Sequence, residues 1–115
     1  MSAERMRRVD EAMREVLSDA ITQQLKDPRI GFVTVTGVQT SPDLRHARVF
    51  VSVFGDPTER DLTMAGLKSS VGFLQRHVAA ELRLKHTPTL NFIYDETAEK
   101  AQRMNLLLEG QEAPE

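Results

Sequence analysis

The sequence predicts an α+β domain, a two-layer sandwich in which helices cover a three-stranded sheet. Two patterns support this. Three stretches repeat apolar residues at the spacing of an amphipathic helix, and three shorter segments alternate apolar and polar residues as strands do. The length of 115 residues fits one domain. The predicted order of elements is α-β-β-α-kink-α-β-α.

The first helix is predicted over residues 4–26. Its apolar residues, from Met6 to Ile21, fall on one arc at the period of an α-helix. Ser2 is a candidate N-cap. Pro28 ends the helix, because proline lacks the backbone N–H and its ring clashes with the preceding turn.

Two strands follow, over residues 32–36 and 47–54, and are expected to form an antiparallel hairpin. Both alternate, so their valines lie on one face. Residues 41–43 read Ser-Pro-Asp and supply turn chemistry between the strands. Gly37 marks a candidate β-bulge.

Three phenylalanines have no settled place. Phe50 and Phe54 lie on the strand face opposite the valines. The first or the last helix would cover that face, or it would stay partly open. Phe73 falls on neither clear face of its helix. We interpret it as a core residue more readily than as a platform for base stacking.

The central helical region begins after the second strand and continues to about Leu84. Its start carries the N-cap, N1 and N3 residues of a capping box, which are Asp56, Pro57 and Glu59. Gly66 and Gly72 each cost about 1 kcal/mol relative to alanine in a helix interior. We therefore predict two helices with a bend near Gly72.

A third strand over residues 90–95 and a last helix over about residues 98–108 complete the order. Ala101, Met104 and Leu108 form one apolar stripe on that last helix. The domain is assigned to residues 1–108. Residues 109–115 are expected to be a short acidic, disordered tail.

Composition and motifs give no positive case for catalysis. The chain has no cysteine, which excludes disulfides and thiolate chemistry. The three histidines are dispersed, and no metal-ligand spacing, Walker A loop or nucleophile motif is present. The acid pair Asp95-Glu96 is interpreted as a helix cap. We expect no catalytic residue, no metal and no cofactor.

Charge and hydropathy favour a cytoplasmic protein with no membrane partner. No apolar run approaches the roughly 18 residues that a span requires, and the first residues lack the apolar stretch of a signal peptide. The net charge is −2. Residues 95–115 hold six acidic residues against two basic ones, a net charge of −4, so residues 1–94 carry +2. The body is therefore mildly basic, which by itself identifies no partner.

The bent helical region carries the main candidate site. On a helical wheel of residues 68–84, Gly72, Arg76, Ala80 and Arg83 lie opposite the apolar face, and Arg76 and Arg83 are a heptad apart. Lys68, Lys85 and His86 flank them. Such a face binds phosphates without reading sequence. An ordinary solvated helix face is equally compatible with the pattern.

Bases elsewhere give weaker signals. Arg7, Arg8 and Arg14 lie on the first helix, where we interpret them more readily as local ion pairs, Arg14 with Asp10 and Arg8 with Glu11. On the hairpin, a further pair of bases would extend a basic surface, namely Arg45 and Arg48.

Several ordered segments together resemble the ribosome-binding factor A family over nearly the whole chain. They are Arg8-Val9, Lys26-Asp27-Pro28-Arg29-Ile30-Gly31, Val33-Thr34-Val35-Thr36, Ser41-Pro42-Asp43-Leu44, Ala47-Arg48-Val49-Phe50-Val51-Ser52-Val53, Gly72-Phe73-Leu74, Leu90-Asn91-Phe92, Asp95 and Leu106-Leu107-Leu108. The combination is specific, because a chance match over so many ordered segments is improbable.

The resemblance implies a KH-like fold of the second type, in which an Ala-x-Gly bend replaces the usual GxxG loop. Here Ser70-Val71-Gly72 stands at that bend, with serine in place of the family's alanine. It also implies binding to the free small (30S) ribosomal subunit near its neck, contact with 16S rRNA, help in late rRNA processing and growth in the cold. A maturation GTPase is implied as a functional partner.

We therefore expect a monomeric, non-catalytic RNA-binding protein of ribosome biogenesis. The expected RNA-binding residues are Lys68, Ser70, Gly72, Arg76, Arg83, Lys85, Arg7, Arg8, Arg14, Arg45 and Arg48. One alternative is a protein–protein adaptor of KH-like fold, which would use the last helix and the sheet-face aromatics. A small α+β enzyme is a further alternative that no constellation of residues favours.

Overall fold

A computed structural model describes residues 3–97 of the chain. Its elements are α1 (Ala3–Gln23), β1 (Val33–Thr40), β2 (His46–Val53), α2 (Pro57–Ser69), α3 (Val71–Leu82) and β3 (Thr89–Tyr94). The predicted order is confirmed up to the third strand. The predicted last helix, the domain boundary at residue 108, the acidic tail and the Ser2 cap lie outside the described residues.

The three strands form one sheet in the order β1-β2-β3. β1 pairs antiparallel with β2, as the hairpin pattern predicts, and β3 pairs parallel with β2. A parallel pair needs a crossover, which α2 and α3 provide. The register shifts between Val35 and Gly37, so the bulge predicted at Gly37 is confirmed.

The three helices within residues 3–97 pack on the face of the sheet that carries the valines. Met13 and Leu17 of α1 and Leu74 of α3 are fully buried beside Val49 and Val51 of the central strand. This is the predicted two-layer sandwich, stabilised mainly by burial of apolar side chains. The opposite face of the sheet carries no helix among residues 3–97, so α1 does not cover Phe50 and Phe54.

The start of α2 forms as its sequence predicts. Asp56 accepts a hydrogen bond from the backbone N–H of Glu59 at 2.8 Å, and Glu59 accepts one from the N–H of Asp56 at 3.2 Å. Pro57 occupies the first turn, where no N–H partner is needed. The reciprocal capping box fixes where the chain leaves β2 and enters the helical layer.

The loop between α1 and β1 is fastened to α2. Asp27 accepts hydrogen bonds from Nε and Nη2 of the Arg29 guanidinium and one from the Arg29 backbone N–H. Thr63 of α2 donates its hydroxyl to the Arg29 carbonyl and accepts the N–H of Gly31 at 3.1 Å. The Asp-Pro-Arg turn is therefore a structural joint that positions α2.

Candidate nucleic-acid interface

The helical region breaks at one residue, Ser70. Its backbone has φ −96° and ψ 3°, outside the helical range, and separates α2 from α3. The Ser70 hydroxyl donates to the Gly66 carbonyl at 2.9 Å, a bond to the preceding turn that bends helices. It makes no side-chain cap to α3. The predicted bend is confirmed and is centred two residues before Gly72.

The fold itself does not require glycine at position 72. Its φ is not positive, since Gly55 is the glycine with positive φ among residues 3–97. Among the residues that the structure describes, a Cβ on Gly72 would meet only Arg76 Nη1, at an ordinary contact distance of 3.5 Å. Neither the backbone geometry nor the internal packing therefore explains why position 72 is glycine, which has a low helix propensity. The space beside this exposed residue is open for an external group.

Arg76 holds its guanidinium beside Gly72, in the second turn of α3. The amino end of a helix carries partial positive charge, which adds to the arginine's attraction for anions. Within residues 3–97, no ion pair joins Arg76 to a carboxylate. We call the group formed by Lys68, Ser70, Gly72, Arg76, Arg83 and Lys85 the bend surface.

Arg83 occupies a different place from the one its wheel position predicts. Helix α3 ends at Leu82, and Arg83 is its C-cap, with φ 50° and ψ 42° in the left-handed region. This turn lets Leu84 pack against the core. The prediction that the helix continues to about Leu84 is therefore wrong, and Arg83 is not a residue of α3. The exposed Arg83 side chain leaves from the end of the helix, followed by exposed Lys85.

Phe73 is an exposed residue of α3, so its interpretation as core is wrong. Its side chain is 38% exposed. The ring stacks on His77 with 6.3 Å between ring centroids and 11° between planes. The core face of α3 is instead supplied by Leu74 and Val78. His77 is not among the predicted RNA-binding residues. The sequence feature that indicates this stacked pair is the spacing of four residues between Phe73 and His77, which places both on one side of a helix.

The arginines of α1 are paired locally, as expected, but with different partners. Glu4 accepts from Arg7 at 2.7 Å and lies 3.4 Å from Arg8 Nε. Arg14 pairs with Glu11 and, by its hydrogen bond, lowers the pKa of the Glu11 carboxyl. The predicted partners of Arg14 and Arg8 are therefore wrong.

Asp10 explains why Arg14 turns to another carboxylate. Asp10 Oδ1 accepts the backbone N–H of Thr40 at 3.0 Å and also the Thr40 hydroxyl. Thr40 ends the edge strand β1 and is nearly fully buried. The aspartate thus fastens α1 to the sheet and is unavailable to the α1 surface.

The two hairpin arginines separate in space. Arg48 lies on β2 on the face of the sheet turned away from the helices, so it is not part of the bend surface. The Arg45 carbonyl accepts the Thr89 N–H at 2.8 Å. Arg45 therefore lies at the end of the sheet where the segment carrying Lys85 returns from α3.

Two other kinds of site were sought in the part of the chain that the structure describes. No group of three histidine or acidic side chains there is placed to hold a metal ion. No helix within residues 3–97 is both long and apolar enough to cross a membrane.

Comparison with known proteins identifies relatives over almost the entire chain. The family model described as "Ribosome-binding factor A" matches residues 5–108. A ribosome-binding factor A from Halothermothrix orenii is 44% identical over 108 residues, which is 94% of this chain and 88% of that protein. One from Anaeromyxobacter dehalogenans is 50% identical over 113 residues, covering 93% of this chain and 81% of the relative.

Structural comparison agrees. The crystal structure of ribosome-binding factor A from Thermus thermophilus superposes with a TM-score of 0.69 at 25% identity, over 77% of this chain and 94% of that one. This similarity and the observed architecture confirm the predicted α+β, KH-like fold class.

Proposed function

The chain belongs to the ribosome-binding factor A family, and from this premise we propose that it binds the free small ribosomal subunit through its RNA. A further structural neighbour supports the proposal. It is a homology model of the Thermus thermophilus factor fitted into a cryo-electron microscopy map of a 30S complex with that factor, with a TM-score of 0.65 at 25% identity over 76% of this chain and 92% of the other.

One observation carries the assignment of the bend surface as the RNA contact. Gly72 occupies a helical position where neither φ nor internal packing calls for glycine, and the guanidinium of Arg76 lies directly beside it. Glycine in the first turn of α3, next to an arginine that forms no ion pair with a carboxylate among residues 3–97, suits close approach of an external phosphate.

The remaining bases of the bend surface extend this contact. Lys68, Arg83 and Lys85 are exposed on the same helical region and its exit loop. They would hold phosphates without reading sequence, as backbone contacts do. Arg45 adjoins that loop and extends the contact. The arginines of α1 contribute less, because each must first give up an acidic neighbour.

The proposed biological role is to bind one conformation of the ribosomal RNA in preference to another. The protein binds an immature conformation of 16S rRNA, supports late processing and leaves the finished subunit. Such selectivity requires different affinity for the two RNA states. In this proposal the protein is cytoplasmic, monomeric and non-catalytic, and works alongside a maturation GTPase.

Sedimentation of the full chain with purified small subunits, large subunits and assembled ribosomes tests the proposal. The protein should travel with free small subunits. The variant Arg76→Glu/Arg83→Glu should lose at least roughly tenfold in affinity, because two phosphate contacts become repulsive. Wild-type sedimentation of that variant, with its circular dichroism unchanged, would contradict the assignment.

A matched control separates the bend surface from charge in general. Arg7→Glu/Arg8→Glu makes the same change of net charge at side chains that already face Glu4. It should weaken binding less than the bend variant does. If capture of a protein partner survives nuclease treatment and RNA binding is absent, the adaptor alternative replaces this proposal.

A further inference from the structure

The side of α3 that faces away from the core carries two kinds of side chain in adjacent rows. Residues four apart lie one above the other on a helix. One row holds Gly72, Arg76 and Ala80, all exposed, so the guanidinium is flanked by the two smallest residue types. The neighbouring row, here called the aromatic row, holds Phe73 and His77. A cationic group and an aromatic pair therefore lie side by side on one surface.

The Phe73 ring is held in place and is still accessible. It stacks on His77, with 6.3 Å between ring centroids and 11° between planes, yet 38% of the residue is exposed. Because stacking on His77 restricts the rotation of the ring, binding a further planar group costs less conformational entropy. A single exposed aromatic side chain is common on soluble proteins, and it is the neighbours of Phe73 that distinguish it.

Arg76 gives this surface its preference for an anion. Within residues 3–97 it forms no ion pair with a carboxylate. It follows Phe73 by three residues, a spacing at which side chains are neighbours on a helix, with about 5–6 Å between Cβ atoms. A ligand that satisfies both side chains has an anionic group next to a flat ring. A nucleotide has this composition, since its phosphate is joined through the sugar to a base that stacks on aromatic side chains.

Glu81 limits the aromatic row to Phe73 and His77. It is exposed one turn beyond His77, and its carboxylate repels phosphate groups, so an RNA strand is not favoured further along this row. A base can stack on Phe73 only if one of its faces is free. Bases inside a duplex are stacked on both sides and cannot reach a protein ring. The surface therefore suits an unpaired nucleotide.

We propose that Phe73, positioned by His77, stacks on the base of an unpaired nucleotide whose phosphate is held by Arg76 beside Gly72. The stacking contact rests on the proposed function, because Arg76 must bind RNA for Phe73 to reach a base. It adds what the bend surface recognises. A base that is free in one conformation of the RNA and paired in another supplies the difference in affinity by which the protein selects between them.

Substitutions at position 73 test the stacking contact, by co-sedimentation of the full chain with purified small subunits. Phe73→Ala should weaken binding at least about fivefold, the low end of the effect of removing a stacking side chain. Phe73→Trp should bind as well as the parent. Phe73→Leu keeps apolar bulk but has no aromatic face, so it should not restore binding. Binding by Phe73→Leu equal to that of the parent would overturn the proposal.

A matched control removes an aromatic ring elsewhere. Phe54 is 80% exposed and follows β2 rather than lying on α3. Phe54→Ala should therefore bind small subunits as the parent does. Circular dichroism of each variant checks that the fold is retained.

Salt dependence distinguishes failure of the stacking contact from failure of the proposed function. Phe73→Ala should lower affinity without changing the slope of log affinity against log salt, because no phosphate contact is lost. Arg76→Ala should make that slope shallower by about one. If Phe73→Ala alone has no effect, the stacking contact is wrong and the RNA contact stands. If Arg76→Ala changes neither affinity nor slope, the bend surface is not the RNA contact and the stacking proposal fails with it.

Ultraviolet cross-linking of Phe73→Trp bound to small subunits identifies the occupant. After digestion, mass spectrometry should find a nucleotide attached to the peptide that carries residue 73. A reagent that acylates the 2′-hydroxyl of unpaired nucleotides should modify the same nucleotide in subunits without the protein. A cross-link to a ribosomal protein instead, or to a nucleotide that is protected as in a duplex, would overturn the proposal.

Discussion

Gly66 in α2 lies directly against the side chain of Ile30 in the loop after α1. A Cβ on Gly66 would come within 2.7 Å of Ile30 Cγ1 and 3.3 Å of Asp27 Oδ2. The loop that begins with the Asp-Pro-Arg turn thus rests on the backbone of α2. This contact gives Gly66 a packing role that Gly72, six residues later, does not have.

We predict that Gly66→Ala destabilises the protein although alanine is the better helix former. The overlap with Ile30 costs roughly 1–3 kcal/mol, which exceeds or cancels the gain of about 1 kcal/mol in helix propensity. Urea unfolding measures the change. Because Ile30→Ala removes the clashing atom, the double variant Ile30→Ala/Gly66→Ala should be more stable than the sum of its single changes indicates. Additive effects would show that the contact does not limit this position.

We predict the reverse pattern for Gly72→Ala. Within residues 3–97 the added methyl meets only Arg76 Nη1, at 3.5 Å, so stability should be unchanged or higher by up to about 1 kcal/mol. Binding to the small subunit should weaken, because the methyl fills the space that an approaching phosphate needs. Thermal unfolding measures the change in stability, and co-sedimentation of the same preparation with small subunits measures the change in binding. A variant that binds as well as the parent would remove the argument for Gly72 as a contact.

Local signals in the sequence predicted the elements that local interactions determine. The Asp56 capping box, the apolar arc of α1 and the bulge at Gly37 all formed where expected. Each depends on residues a few positions apart, whose spacing is visible in the sequence. The resemblance to a known family added that this α+β domain is KH-like.

Long-range contacts determined what the sequence did not predict. Asp10 was expected to pair with Arg14 but instead binds Thr40, 30 residues away. The helical wheel extended α3 through Arg83 because a wheel considers only the spacing of residues along a helix. It does not include the tertiary contact by which the turn at Arg83 packs Leu84 against the core. The parallel pairing of β3 with β2 likewise depends on the whole crossover rather than on either strand.

We predict that Arg83→Gly stabilises the fold while weakening RNA binding. Arg83 holds φ 50°, a conformation that costs a side chain about 1 kcal/mol relative to glycine. Glycine relieves this and should raise stability by up to about that amount, reduced by the larger entropy of the unfolded chain. Arg83→Ala is the matched control, since it removes the guanidinium but keeps the strain. Equal stability of the two variants would show that the left-handed turn imposes no cost.

The loss of folding stability at acidic pH should depend on Asp27. Hydrogen bonds from the Arg29 side chain and backbone lower the pKa of this carboxyl from 3.8 to about 2. A carboxyl whose pKa is lower in the folded state stabilises the fold above its unfolded pKa, and this contribution disappears as pH falls from near 4 towards 2. Asp27→Asn should therefore unfold at a lower temperature than the parent at pH 7, and the difference in unfolding temperature should narrow as pH falls from near 4 towards 2.

Asp19→Asn, an exposed change on α1, serves as the control for this prediction. The difference in unfolding temperature between this variant and the parent should not change over the same pH range. A constant difference between parent and Asp27→Asn from pH 7 to pH 2 would mean that the charge of Asp27 does not fasten the loop to α2.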